Sequence, residues 1–380
     1  MGTIAATVDL LSRLVAIDSV NPSLVPGGAG ERESAAFVTA WARDAGLEAT
    51  VLERTPGRPS VVVRARGAGG GRTLLLCGHL DTVSVEGMRD PHVPRIDGDR
   101  LYGRGAYDMK AGLAAALVAC RDAAGHDLAG DVLVAAVADE EHASIGVQEV
   151  LEMVHADAAV VTEPTQLEVV VAHKGFVWSE IEVSGRAAHG SRPDLGVDAI
   201  VKTGPVLTAI GELDAALTSR THPLTGRGSV HASMIRGGEE LSSYPARCVV
   251  GVERRTLPGE TAADVETDIG AVLERCRASD ERFEAAQRTL LVRPPFEVAE
   301  DAAIVELVRE TAAAELGAPP PPISGAGYWT DAAFIAGAGI ATVLFGPGGA
   351  GAHASEEWVS ISETETVART LLAVARRLCA

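Results

Sequence analysis

Residues 73–83 read TLLLCGHLDTV. Four apolar residues run into a glycine, then a histidine, then an aspartate two positions on. A short apolar run ending in Gly has the length of a buried strand and its exit. His79 then stands at the carboxyl end of that strand, the edge at which open α/β sheets bind ligands. The spacing to Asp81 has a chemical logic. A metal-bound imidazole donates its other N–H to a carboxylate or a carbonyl, which fixes tautomer and ring angle. Asp81 is near enough in sequence to supply that partner. A His and an Asp in a polar loop is the plainer reading, and the rest of the chain decides between the two.

Outward from this stretch, helical spacings and apolar runs alternate. The pattern predicts helices at 3–17 and 31–45, strands at 47–53, 60–65 and 74–77, a helix at 110–124, a strand at 132–137, a helix near 144–155 and a strand at 158–161. Residues 84–104, rich in Pro, Gly and charge, read as loop. Such an order implies an α/β fold, a mostly parallel sheet with helices on both faces. After Glu168 the order becomes strand, helix, strand, strand, helix, strand, that of a small α+β sandwich. This predicts an inserted domain over residues 174–293. The first domain then comprises 1–173 and 294–380, closed by helices at 302–316, 331–336 and 363–378 and a strand at 341–345.

The chain has 380 residues, more than one ordinary core accommodates, and 47% of them are apolar. Lys and Arg number 33 against 52 Asp and Glu, a formal net charge of −19. That balance argues against nucleic acid as a partner, because phosphate binding needs a positive surface, and equally against an anionic membrane. Five cysteines are scattered and odd in number, with no C-x-x-C pair. They form neither a disulfide framework nor a thiolate zinc site, and they predict a reducing, cytoplasmic setting. The first residues lack a basic segment and a long apolar run, so neither a signal peptide nor a transmembrane helix is expected.

The ends of the predicted strands carry the chemistry. TLLLCG leads to His79 and Asp81, VLVAAVAD to Glu140 and Glu141, AAVVT to Glu163, and ATVLFGPGGAGA to His353. Asp108 lies in RGAYDMKAG, a glycine-flanked turn before a helix. Imidazole and carboxylate donors without thiolate suit zinc, manganese or cobalt at a reactive site and not structural zinc. Two His and three or more carboxylates exceed one tetrahedral shell. Sharing one carboxylate between two ions gives a two-metal site, which activates a water and polarises a carbonyl. One carboxylate then stays off the metals to take the water's proton. The neighbours Glu140 and Glu141 suit that division, since one backbone step aims adjacent side chains apart.

The segments GHLDTV, GRGAYDMKAG, ADEEHASIG, TEPT, GRAAHGSRPDLGVDAI and FGPGGAGAHASEEW resemble, in order and along nearly the whole chain, the motifs of one metallopeptidase family. That family comprises zinc-dependent aminoacylases, acetylornithine deacetylases, succinyl-diaminopimelate desuccinylases and glutamate carboxypeptidases. The resemblance implies a catalytic domain holding two zinc ions, replaceable by cobalt or manganese, and an inserted lid domain through which two chains pair as a homodimer. It implies that His79 and Glu163 hold one ion, Glu141 and His353 the other, and that Asp108 bridges both. Asp81 would support His79. Glu140 would be the general base and later the acid that protonates the leaving amine. His189 would reach the partner's site from the lid and stabilise the oxyanion. The peptide after Asp108 would be cis.

The same resemblance implies a metal-dependent hydrolase acting on N-acyl amino acids or short peptides. A carboxypeptidase or dipeptidase of the same class, and a non-catalytic metal-binding protein that kept the fold, are the alternatives. Arg255 and Lys174 are candidates for gripping a substrate carboxylate. Arg255 is the better of them because a guanidinium makes a bidentate clamp; a salt bridge within the lid is the competing reading. Many members of the family carry Asn-x-x-Pro before the Arg-x-x-Pro-Gly strand, and here Ser242 replaces the Asn. Tyr328 and Trp329 stand where the desuccinylases have small residues. They would wall a pocket for an apolar group, or simply pack.

Overall fold

Every residue of the strand Leu74–His79 is buried. A strand with no polar face needs strands at both edges and cover on both sides. It has parallel neighbours at each edge. Leu74 through His79 pair with Val132 through Val137, and Leu74 through Cys77 with Ala158 through Val161. Ala341–Leu344 lies parallel beside Ala158–Val161. Four strands therefore run the same way and deliver their exits to one edge. The flanks run the other way. Ser60–Ala65 is antiparallel to Val132–Val137, Glu48–Leu52 is antiparallel to it in turn, and Val170 meets Leu344 in antiparallel register. The sheet is thus mixed, parallel in its middle and antiparallel at its sides.

The computed structural model describes residues 3–380. They form two units. The first contains this sheet and runs to Val171, resuming at 298–324 and 330–380; the second comprises Ala172–Glu297 and Gly325–Trp329. In the first, the helix Ala111–Ala123 (AGLAAALVACRDA) is buried almost all round, as its lack of a polar face requires. It packs against the helices Thr3–Val15 and Ile361–Leu378. Small residues let it press on the sheet. A Cβ on Gly112 would lie 1.8 Å from the carbonyl oxygen of Thr162. A Cβ on Gly346 would lie 2.0 Å from that of Glu163. Glycine at these two positions brings the Asp108 turn and the last strand's exit against Glu163.

Part of 84–104, expected to be loop, is a short hairpin. Arg95–Asp97 pairs with Arg100–Tyr102 across a two-residue turn in which Gly98 takes φ +59°. The second strand also pairs with Trp358–Ser360. Three-residue strands carry too little periodicity to read, and long-range pairing decides them.

In the second unit the strands Ser229–Gly237, Arg247–Thr256, Gly175–Ser184 and Glu284–Arg293 form an antiparallel sheet in that spatial order. Burial alternates along Gly175–Ser184, as a sheet with one covered face requires. Val177, Ile181 and Val183 from that face pack with Val206 and Ile210 of the helix Ala199–Leu217 and Val265, Ile269 and Leu273 of the helix Ala262–Ser279. Both helices start where the sequence signals it. The Asp198 side chain accepts from the N–H of Val201, and Thr261 with Asp264 forms a capping box.

Candidate metal centre

The parallel register sets the exits of the four strands side by side, and two groups of candidate ligands result. The ligand atoms of His79, Asp108 and Glu163 lie within 4.8 Å of one another, and so do those of Asp108, Glu141 and His353. Asp108 belongs to both. Its Oδ1 is 3.3 Å from His79 Nε2 and its Oδ2 is 3.3 Å from His353 Nε2, so each oxygen faces one imidazole. His353 Nε2 is also 3.2 Å from Glu141 Oε2. The other oxygen of Glu141 is buried without a hydrogen-bond partner among the described residues. The donors are nitrogen and oxygen only, and one carboxylate oxygen of the set is left without a hydrogen-bond partner among the described residues. This set fits two divalent ions sharing one carboxylate. Glu140 belongs to neither group; its Oε2 lies 4.0 Å from His79 Nε2.

Backbone geometry aims these side chains. The Asp108–Met109 peptide is cis. His353 takes φ +61° and Asp139 φ +67°, left-handed conformations that cost on the order of 1 kcal/mol outside glycine and persist where the surroundings hold them. For Asp139 those surroundings are visible. Its carboxylate accepts from Arg58 Nη2 at 2.7 Å and Asn21 Nδ2 at 3.0 Å, and it also accepts from the N–H of Ala143.

His79 Nδ1 meets the main-chain carbonyl of Asp81 at 2.9 Å, whereas the Asp81 carboxylate is 3.8 Å away. The ring is oriented by the Asp81 carbonyl, one of the two partners the sequence spacing allows. The carboxylate does something else. It accepts the N–H groups of Glu140 at 3.1 Å and Glu141 at 3.2 Å and the Asn21 amide at 2.7 Å. Asp81 thereby fixes the backbone from which both glutamates project. Behind it stands Arg58, paired with Glu31 at 2.6 Å as well as Asp139. Asn21, Glu31, Arg58 and Asp139 were not singled out from the sequence. Their partners are remote along the chain; Asp139 lies within the segment ADEEHASIG, but no local motif marks the other three.

Electrostatics follow from crowding. Burial, then the charge of Glu163, push the Glu140 carboxyl well above the usual carboxylate range. Burial also drives Glu163 well up, although His79 opposes it. Burial raises Asp108 too, but hydrogen bonds from His353 and His79 outweigh it and hold its carboxyl well down. Hydrogen bonds to Asp108 and Glu141 push His353 up to about 10. Burial lowers His79, yet Asp108, Glu163 and Glu140 carry it well above the usual imidazole value. Metal ligands must be deprotonated, and these surroundings favour the protonated imidazoles, so metal binding here would be linked to proton release.

The remaining candidates belong to the second unit. His189 is exposed, and its Nδ1 is 2.8 Å from Ser191 Oγ. It lies in a bridge opposite Ser243, and the next N–H, of Gly190, donates to the carbonyl of Ser242 at 2.6 Å; His189 and Ser242 are thus neighbours. Arg255 Nε donates to Glu253 at 2.7 Å, and its guanidinium lies 5.0 Å from the centre of the Phe176 ring. Lys174 Nζ donates to the carbonyl of Arg227 at 2.7 Å. Trp329 donates its indole N–H to Pro294 and packs edge-on to Phe176, whereas Tyr328 is 42% exposed.

Residues 75–377 match the model of peptidase family M20/M25/M40. An acetylornithine deacetylase of Myxococcus xanthus is 30% identical over 378 residues, 95% of this chain and 94% of that protein. The structure superposes on that of aminopeptidase PepT from Bacillus cereus with a TM-score of 0.79 at 21% identity, covering 100% of both chains. It also matches Bacillus subtilis YXEP protein, described as a dinuclear metal binding peptidase, with a TM-score of 0.75 at 16% identity over 99% of this chain and 98% of that one.

Proposed function

Because the chain belongs to peptidase family M20/M25/M40, a family of metal-dependent hydrolases, we propose that it cleaves the amide bond of N-acyl amino acids. The observation that carries this reading is Glu140, a carboxylate only 10% exposed that stands beside two ligand groups sharing Asp108 but is part of neither. A protein that only stored or sensed metal would have no use for such a base.

His79 with Glu163 would hold one zinc ion, Glu141 with His353 the other, and Asp108 both; cobalt or manganese would substitute. When bound, the ions supply Lewis acidity toward the substrate carbonyl and lower the pKa of a water. The chain's own residues do the rest. Glu140 takes the proton of the attacking water at its carboxylate. It then delivers that proton to the departing amine nitrogen, which leaves as the free amino acid. A largely buried carboxyl with raised proton affinity is suited to both transfers. Asp81 keeps Glu140 aimed through the backbone. Arg255, Lys174 and Ser242 are the residues proposed to meet the substrate's carboxylate; in Arg255 this requires exchange of its present partner, Glu253.

Domains follow the same reading: a catalytic domain of 1–173 and 294–380, and a lid of 174–293. Two chains would pair through the lid. The outer edge of Ser229–Gly237 has no strand partner among the described residues, and Met234 and Ile235 on it are 52% and 54% exposed. An open, apolar edge strand of this kind is a pairing surface. Among the described residues no helix is long and apolar enough to cross a membrane. Five free, buried cysteines favour the cytoplasm.

His189 would complete the partner's site. Ser191 occupies its Nδ1, and Nε2 has no partner among the described residues. Chains carrying His189→Ala and chains carrying Glu140→Gln should each be nearly inactive. Mixed, they should recover roughly a quarter of wild-type activity, since about half of random dimers join unlike chains and each of those has one complete site. Mixtures as inactive as their components would mean that each site is built from a single chain.

The decisive assay is a panel of N-acetyl and longer N-acyl amino acids, with dipeptides alongside. It would be run with zinc, cobalt or manganese added and again after chelation. Release of free amino acid that stops on chelation and returns with metal is the expected result. Cleavage of dipeptides alone would move the chain to the peptidases of its family. No cleavage of either, with two ions bound, would leave a metal-binding protein without this chemistry.

A further inference from the structure

The loops carrying Asp108 and His353 are joined by one buried ion pair. Glu357 is 1% exposed and accepts four hydrogen bonds. Its Oε2 takes Arg104 Nη1 at 2.7 Å and the N–H of Gly105 at 3.0 Å. Its Oε1 takes the N–H groups of Tyr107 at 2.9 Å and Asp108 at 3.0 Å. Arg104, 2% exposed, sends its other terminal nitrogen to the carbonyl of Ala354 at 2.8 Å, the residue after His353. Its Nε has no hydrogen-bond partner among the described residues.

Desolvating such a pair is costly, and apolar side chains of similar volume would pack the same space without that penalty. Packing is therefore a poor account of it. The directions of the bonds offer a better one. A charged acceptor orders backbone donors more strongly than a neutral one, and here it orders three, ending at the N–H of Asp108. The Asp108 carboxylate has to present one oxygen to His79 and the other to His353, so a turn of its backbone disturbs both contacts together. Arg104 carries the constraint onward to the loop of His353, whose left-handed backbone has to be held.

We propose that Glu357 and Arg104 are positioning residues of the metal centre. Glu357 sets the backbone of the bridging Asp108, and Arg104 couples that setting to His353. Neither residue is in either group of candidate ligands. The inference rests on the ligand set proposed above.

The test is a Co(II) titration of the chelator-stripped full chain, followed by competition with a chromophoric chelator and by the visible absorption of bound cobalt. Unfolding of the stripped protein is recorded in parallel. In Glu357→Gln both ions should bind 10–100-fold more weakly, the usual effect of losing a residue that orients metal ligands. Arg104→Lys keeps a cation beside Glu357 but cannot also reach Ala354. Its first ion should bind as in wild type, its second 10–100-fold more weakly and with an altered spectrum. A purely structural pair would lower the melting temperature of the stripped protein and leave both cobalt affinities and the spectrum unmoved; that result overturns the inference. If Glu357→Gln does not fold, Arg104→Lys decides alone. A wild-type chain that binds no cobalt would sink the metal-centre reading itself, which separates that failure from this one.

Discussion

Glu140→Gln should lower turnover by roughly 10²–10⁴-fold, the usual contribution of a general base, while the protein keeps two ions per chain. The substitution preserves size and removes only the ability to accept a proton. The ligand groups His79–Asp108–Glu163 and Asp108–Glu141–His353 do not include it. The Asp81 carboxylate grips the backbone of residue 140 and not its side chain, so the loop should stay in place. Metal analysis beside single-turnover kinetics checks both halves. Near-normal turnover would remove Glu140 from the reaction. Loss of metal would make it a ligand instead.

Asp108→Ala should have the opposite signature, with both ions lost or greatly weakened and activity lost with them. One carboxylate faces both imidazoles, each at 3.3 Å, so its removal takes a ligand from each group. It also leaves two imidazoles and two glutamates without their shared partner. Element analysis after dialysis, with circular dichroism as a control for folding, is the check. A folded variant with two ions per chain would refute the bridging assignment. One with a single ion would show that Asp108 serves only one of them.

Much of this was legible because it is written in short, strong runs. LLLC, VLVAAV and AAVV leave no polar face, so they had to be inner strands, and inner parallel strands share an exit edge. With ATVLF as a fourth such run, this places His79, Glu140, Glu141, Glu163 and His353 at one edge from the sequence alone. The second unit's order of strands and helices was legible for a similar reason, its periods of 2 and 3.6 being long enough to count. The antiparallel flanks were not, because direction depends on which strand the chain returns to. Nor was the role of Asp81, since a spacing of two residues cannot separate a carbonyl from a carboxylate on the same residue. The network behind the site was hidden most completely. Arg58 and Asp139 are 81 positions apart, Arg104 and Glu357 253 apart, and such pairs are defined only by the finished fold.

The strand Ala341–Leu344 lies inside the sheet, between Ala158–Val161 and the strand that contains Val170, yet it is made after the whole second unit. At about 5–20 residues per second, a growing chain spends on the order of ten seconds or more with that slot empty and the edge of Ala158–Val161 bare. The three ligands of one proposed ion have been made by residue 163; the other still lacks His353. The nascent protein thus passes through a half-built state, with one ion's ligands complete and an open sheet edge beside them, and it closes only when the last strand slides in.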